Sequence, residues 1–201
     1  MNNTMSRKEQ FLQICSSTIQ RSGINSLLSW LETSDFFTAP ASTRHHLAQE
    51  GGLLEHSLNV YAALKDLCVH YDADISEESI AIMALFHDLC KVNFYKPDTR
   101  NVKIDGVWTA VPTYSIEEKF VYGGHGSKSV FIAGNFIKLT ADEAVAINCH
   151  MGSWDGNKYV GDAYNHCLPA FLLHLADEIA TFITENPLVK PREEENEASH
   201  D

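Results

Sequence analysis

The most constraining stretch of this 201-residue chain is Ala84-Leu85-Phe86-His87-Asp88-Leu89-Cys90-Lys91, where an apolar helical run that starts at Ile80 closes on an imidazole beside a carboxylate. Burying either group without a partner or a coordinated ion is costly. A fold that keeps this helix in its core must supply such partners. Otherwise it must leave His87 on the helix dipole and Asp88 in a solvated turn at the helix end. Both outcomes are open from the segment alone. A neutral imidazole nitrogen and a carboxylate oxygen are also good ligands for first-row divalent metals.

Four further positions repeat the conflict on other elements. His56 lies one turn after Leu53 and one before Val60, near the core side of its helix. Asp177 shares a helix face with Leu173 and Ala180, an awkward place for an unpaired carboxylate. His125 sits in the turn Gly123-Gly124-His125-Gly126 that opens a helix, and His150 closes the helix begun at Ala141. Taken singly, each is an ordinary core or surface residue. Together they form an ordered set that a helical core can gather, so the ten His of the chain are better explained by a site than by titratable surface. His70, His166, His174 and His200 have no place in the series and read as structural or surface residues.

The elements that carry them are mostly helical. Residues 6–24 place Phe11, Ile14, Cys15 and Ile19 at helical spacing, and 26–31 reads as a second short helix. A loop with Pro40 leads to Gly51-Gly52 and then to the clearest helix, 53–71, with Leu54, Leu58, Tyr61, Leu64 and Cys68 in one stripe. Ser76 caps the next helix, with Glu77 and Glu78 in its first turn, and this helix ends near Lys91. From Val92 to Tyr114 the texture turns β-branched and aromatic. Asp105-Gly106 between Val102-Lys103-Ile104 and Val107-Trp108-Thr109 is a two-residue hairpin signal. Helical patterning returns over 127–137 and over Ala141–Cys149, where Thr140 and Glu143 suit a capping box. Residues 152–161 read as loop. The last long helix ends at Ile183, with Pro169 in its first turn, where a missing N–H costs little. After Pro187, two basic and five acidic residues with no apolar stripe describe an acidic disordered tail. The expected fold is all-α: one helical domain over 1–186 with a small β-hairpin insertion at about 92–114, then the tail 187–201.

Charge narrows the partners. Fifteen basic and 27 acidic residues give a net charge of −12 with His neutral. That argues against duplex nucleic acid and anionic membranes, which are gripped by clustered Lys and Arg. Residues 1–10 are polar, with no apolar h-region behind them, so a secretory signal is not expected. Apolar stretches such as 80–86 fall far short of the roughly 20 residues of a membrane helix. Five Cys without a C-x-x-C pair support neither a disulfide framework nor a thiolate zinc finger. The expected setting is the cytoplasm, and the oligomeric state is open.

In chain order, His56, His87-Asp88, His125, His150 and Asp177 resemble the signature of the HD-domain metal-dependent phosphohydrolases. In that family H…HD…D marks a helical metal site, and a two-histidine insertion marks members with two metals. The segment from His45 to Ser57 is similar to the one that leads into the first ligand in many members, and the resemblance runs from about Arg44 to Ile183. Cys90 departs from it, standing where a glycine is common, which leaves the ligands intact and bears on helix-end geometry. The resemblance implies that His56, His87, Asp88 and Asp177 bind a first ion and that His125 and His150 bind a second, with Asp88 bridging. A nitrogen and oxygen donor set without thiolate favours two divalent ions drawn from Mn, Fe, Co, Ni or Zn. Two such ions can clamp phosphoryl oxygens and supply hydroxide near neutral pH.

Asp88 and Lys91 are the candidate catalytic residues. Lys91, one turn beyond His87, can stabilise phosphoryl oxygens or the leaving group, or it can be an ordinary helix-end lysine. Arg44, His45, His46 and Lys128 are candidate substrate contacts, with plain polar-loop roles as their alternative. Gly126-Ser127-Lys128 is not a nucleotide-binding P-loop, which needs Gly-Lys-Ser/Thr after four spacer residues. Trp108, Tyr114 and Trp154 could stack a base or simply pack. The expected function is hydrolysis of a phosphate ester in a small, nucleotide-like phosphorylated substrate. Two alternatives stand beside it. One is a 3′–5′ exoribonuclease-like phosphodiesterase acting on short single strands, to whose HD domain 44–56 is also similar, although no OB-like second domain is legible. The other is a non-catalytic metal-binding signalling module, which six intact ligand positions disfavour.

Overall fold

Local signals set many of the element boundaries in the computed structural model, which describes residues 5–43, 45–118 and 122–189. Helix α1 (Arg7–Thr18) starts at a Ser6–Glu9 capping box. The helical stretch expected over 6–24 is in fact broken: Ile19 turns extended and ends α1, and left-handed Gly23 (φ +93°) then opens α2 (Ile24–Thr33). A side chain at Gly23 would collide with the Phe136 carbonyl, so a distant neighbour keeps this position to glycine. Helices α3 (Gly52–His70) and α4 (Glu77–Phe86, capped by Ser76) follow the expected pattern. Helix α4 stops at Phe86, and a short 3-10 turn, Leu89–Lys91, continues after His87-Asp88.

The insertion is an antiparallel ribbon of β1 (Tyr95–Ile104) and β2 (Val107–Ile116), paired from Tyr95–Ile116 to Ile104–Val107. It starts three residues later than the expected 92–114 segment and runs two residues past its end. Asp105 (φ 48°) and Gly106 (φ 84°) both take positive φ, as a type I′ turn requires. Trp108 lies exposed near the ribbon tip. Helix α5 (His125–Gly134) begins at His125, and α6 (Ala141–Cys149) begins at the Thr140–Glu143 capping box. The stretch expected as loop over 152–161 instead holds a 3-10 turn (Gly152–Asp155) and the first turn of α7 (Val160–His166). Helix α8 (Leu168–Ile179) carries Pro169 in its first turn and passes into a π turn, Ala180–Thr184. Of the expected acidic tail, 190–201 lie outside the described residues.

Two apolar clusters form the core. One gathers Phe11, Leu27, Phe36, Leu53 and Phe86; the other gathers Leu64, Met83, Ile147 and Leu173. Helices α3 and α4 belong to both, and α8 packs against α3 and α6. The ends of α4 and α6 therefore meet the flanks of α3 and α8 at one place. The five cysteines are buried and free, and among the described residues no single helix is long and apolar enough to cross a membrane.

Candidate metal centre

At that meeting point the helices deliver polar groups into the core. His56 comes from the second turn of α3, His87 and His150 stand at the C-terminal ends of α4 and α6, Asp88 follows His87, and Asp177 lies near the end of α8. His56, His87, Asp88 and His150 are buried, and the Asp177 side chain is 13% exposed.

Their donor atoms converge. His56 Nε2 lies 3.1 Å from Asp177 Oδ1, 3.6 Å from Asp88 Oδ2 and 3.3 Å from His87 Nε2. His87 Nε2 is 3.5 Å from Asp88 Oδ2, and His150 Nε2 is 3.5 Å from Asp88 Oδ1. Two overlapping groups, His56–His87–Asp88 and His87–His150–Asp177, place their donor atoms within 4.8 Å of one another. Donors about 2.1 Å from a shared ion stand roughly 3–3.5 Å apart at tetrahedral or octahedral angles, so these separations suit coordination.

The far side of each ring explains why Nε2 faces inward. His87 Nδ1 lies 2.8 Å from the Ala84 carbonyl, His150 Nδ1 2.7 Å from the Ile147 carbonyl, and His56 Nδ1 2.9 Å from Glu185 Oε1. A carbonyl oxygen only accepts, so Nδ1 of His87 and of His150 carries the proton, and in the neutral ring Nε2 keeps its lone pair. Such anchoring is typical of metal-ligating imidazoles. The His56 and His87 Nε2 atoms then face each other across 3.3 Å, and the buried His150 Nε2 has no hydrogen-bond partner. The convergent donors and the unpartnered His150 Nε2 fit a cation among them.

Electrostatics lean the same way. Burial pushes the His56 imidazole down, yet Asp177 and Glu185 outweigh it and hold the group up at about 10. Burial likewise opposes ionisation of Asp88, but Lys91 and His87 hold it well below the usual carboxylate range. Asp177 and Glu185 thus pair with His56, while Asp88 pairs with Lys91, whose Nζ lies 2.6 Å from Asp88 Oδ2. The thiol of Cys90 is pushed up by burial and by Asp88, so it stays protonated, 3.7 Å from Asp88 Oδ1.

A cavity of about 830 Å³ opens beside the cluster, with Lys91, His125, Asp177 and Glu185 on its wall. Its opposite lining is largely apolar and includes Phe94, Tyr95, Met151, Trp154 and Phe182. The volume lies within the range of small-molecule sites.

The remaining expected site residues divide. His125 lines the cavity but belongs to none of the donor groups among the described residues; its Nδ1 is 3.2 Å from Asp155 Oδ1. Gly124 makes this approach possible, since its φ of +153° suits glycine and a Cβ there would overlap the Asp155 carboxylate. His45 and His46 line the cavity too. The His46 ring is 4.9 Å from that of His56, and burial pushes it down to about 4. Lys128 is engaged elsewhere: it bonds Glu118 at 2.9 Å and lies over the Phe94 ring. Arg44 falls outside the described residues. Trp154 borders the cavity, while Trp108 is at the far end of the ribbon.

Sequence reasoning passed over two carboxylates, Glu185 and Asp155. Asp155 lies in a stretch expected as loop, and Glu185 beyond the expected helix end; no local pattern marks either. The HD domain family matches residues 53–181. No curated protein and no solved structure matches the chain.

Proposed function

Because the chain belongs to the HD-domain family, we propose that it is a metal-dependent phosphohydrolase that cleaves a phosphate ester of a nucleotide or a related small molecule. The observation that carries this reading is the convergence of three Nε2 atoms with Asp88 and Asp177 beside a cavity of about 830 Å³, which Asp177 lines. A bound divalent ion supplies Lewis-acid polarisation of the phosphoryl group and a water acidic enough to attack near neutral pH.

The chain supplies the rest. His56, His87, Asp88 and Asp177 hold the first ion. His150, facing Asp88 from the other side, holds the second together with His125, whose ring Asp155 orients toward the cavity. Lys91 offsets charge on Asp88 and on the phosphoryl oxygens as the ester bond breaks, in a setting of low dielectric where a fixed charge is effective. The aromatic wall of Tyr95, Trp154 and Phe182 packs the apolar part of the ester and sheds water from it. Among the described residues no continuous basic track lines the cavity, so a compact substrate suits it better than a long strand.

The test is a metal analysis of the purified protein followed by hydrolysis of p-nitrophenyl phosphate and bis-p-nitrophenyl phosphate with Mn, Fe(II), Co or Ni. A screen of nucleotides, cyclic dinucleotides and short RNA follows. Metal-stimulated turnover is expected. Protein that holds metal yet turns over no ester would instead be a metal-binding module.

A further inference from the structure

The family match ends at residue 181, and one contact to its ligand set comes from beyond that end: Glu185 Oε1 lies 2.9 Å from His56 Nδ1. We propose that Glu185 is a positioning residue of the metal centre, whose carboxylate fixes the tautomer and ring plane of His56 so that Nε2 presents its lone pair to the ion. The proposal rests on reading the His–Asp cluster as a metal centre.

Three features support it. The Glu185 side chain is only 1% exposed, although an uncompensated buried carboxylate is costly. Its Oε1 is shared with Asn59 Nδ2 at 3.0 Å, one turn along α3 from His56, so the carboxylate is held from the same helix whose histidine it orients. Third, the backbone departs from α-helix to bring it there. Glu185 N bonds the Ala180 carbonyl at 2.9 Å, closing the wide π turn over Ala180–Thr184. In an uninterrupted α-helix, residues 177 and 185 would point about 80° apart, at roughly 100° per residue. The extra residue of a π turn sets later positions back by about one such step, returning Glu185 to the side of Asp177. Such turns recur at functional sites.

A charged acceptor on the outer nitrogen also makes the imidazole a stronger donor, and outer partners of this kind are typically worth 10–100-fold in metal affinity. The alternative is a purely structural tie between the last turn and α3. Chelator-competition titrations with Co(II) and Zn(II) on full-length wild type, Glu185→Gln and Glu185→Ala separate the two, run beside thermal unfolding of the metal-free proteins. The expected order of affinity for the tighter ion is wild type, then Glu185→Gln, then Glu185→Ala, with Glu185→Ala weaker than wild type by about 10–100-fold. Glutamine keeps an acceptor without the charge, and it carries the comparison if the alanine variant fails to fold. In the zinc-loaded wild type, long-range 1H–15N spectra should show His56 protonated at Nδ1 and coordinated at Nε2, a signature that the alanine variant loses. Equal affinities overturn the proposal, and so does a lowered unfolding temperature with affinity unchanged. If the wild type takes up no ion, the metal-centre reading itself falls.

Discussion

His56 Nε2 and His87 Nε2 stand 3.3 Å apart in the core, each with its Nδ1 engaged on the opposite side. In the metal-free chain the proton that Asp177 and Glu185 hold on His56 bridges this pair, and a metal cation takes its place by binding both nitrogens. Metal should therefore stabilise the folded chain. At a hundredfold excess over Kd the gain is about 2.7 kcal/mol, which for a chain of this size raises Tm by roughly 5–10 °C. Differential scanning calorimetry with and without chelator checks it; no shift with Mn, Fe(II), Co, Ni or Zn would remove the cation from this pair.

Lys91 is buried against Asp88 at 2.6 Å and also borders the cavity. Lys91→Met should lower kcat on a phosphate ester by about 100–1000-fold, the usual loss on removing one charge-stabilising group. Metal content, measured on the same sample, should stay at the wild-type level. Loss of metal together with activity would mean that Lys91 serves the ligands and not the substrate.

His125 is the ligand position that the fold does not draw into the buried cluster. His125→Ala should remove the second equivalent of metal and leave the first. Gly124→Ala should act in the same direction, because its new Cβ displaces the Asp155 carboxylate that holds His125. Two equivalents retained in both variants would take His125 out of the ligand set.

His46 ties acid stability to burial. Its imidazole is pushed from 6.5 down to about 4, by burial first and then by His56 and Lys91. The unfolded chain therefore binds more protons than the folded one between these values. The contribution is present above pH 6.5 and is lost as pH falls toward 4, about 3 kcal/mol in all. In metal-free protein, the wild type should lose stability faster than His46→Gln over that interval, as urea titrations at stepped pH would measure. Parallel losses would mean that His46 is solvated.

Where a boundary is written in a few adjacent residues, the sequence discloses it. Ser76, the Thr140–Glu143 box and Asp105-Gly106 lie where the fold uses them. The position of His87-Asp88 at a helix end is equally legible, because the seven preceding residues, 80–86, are uniformly apolar. What escaped depends on partners far along the chain. Position 23 must be glycine because Phe136 lies against it, and α7 forms in a segment rich in glycine and polar residues. Glu185 is the sharpest case. Counting forward at α-helical spacing places it off the face of Asp177, and only the π turn corrects the angle. Of the expected substrate contacts, Lys128 met Glu118 and Phe94 instead, a competition among polar neighbours that composition does not reveal.

The Nδ1 contacts of His87 and His150 have a consequence for every ligand substitution. Each ring folds back on a carbonyl three residues earlier in its own helix, Ala84 or Ile147, at the end where helical carbonyls run out of amide partners. The imidazole is thus a C-terminal cap through one nitrogen and a donor through the other. Replacing it with alanine empties the coordination position and also frays α4 or α6, so lost activity in such a variant conflates two causes. Asparagine or glutamine, able to donate to the same carbonyl, keeps the helix end closed while withdrawing the ligand.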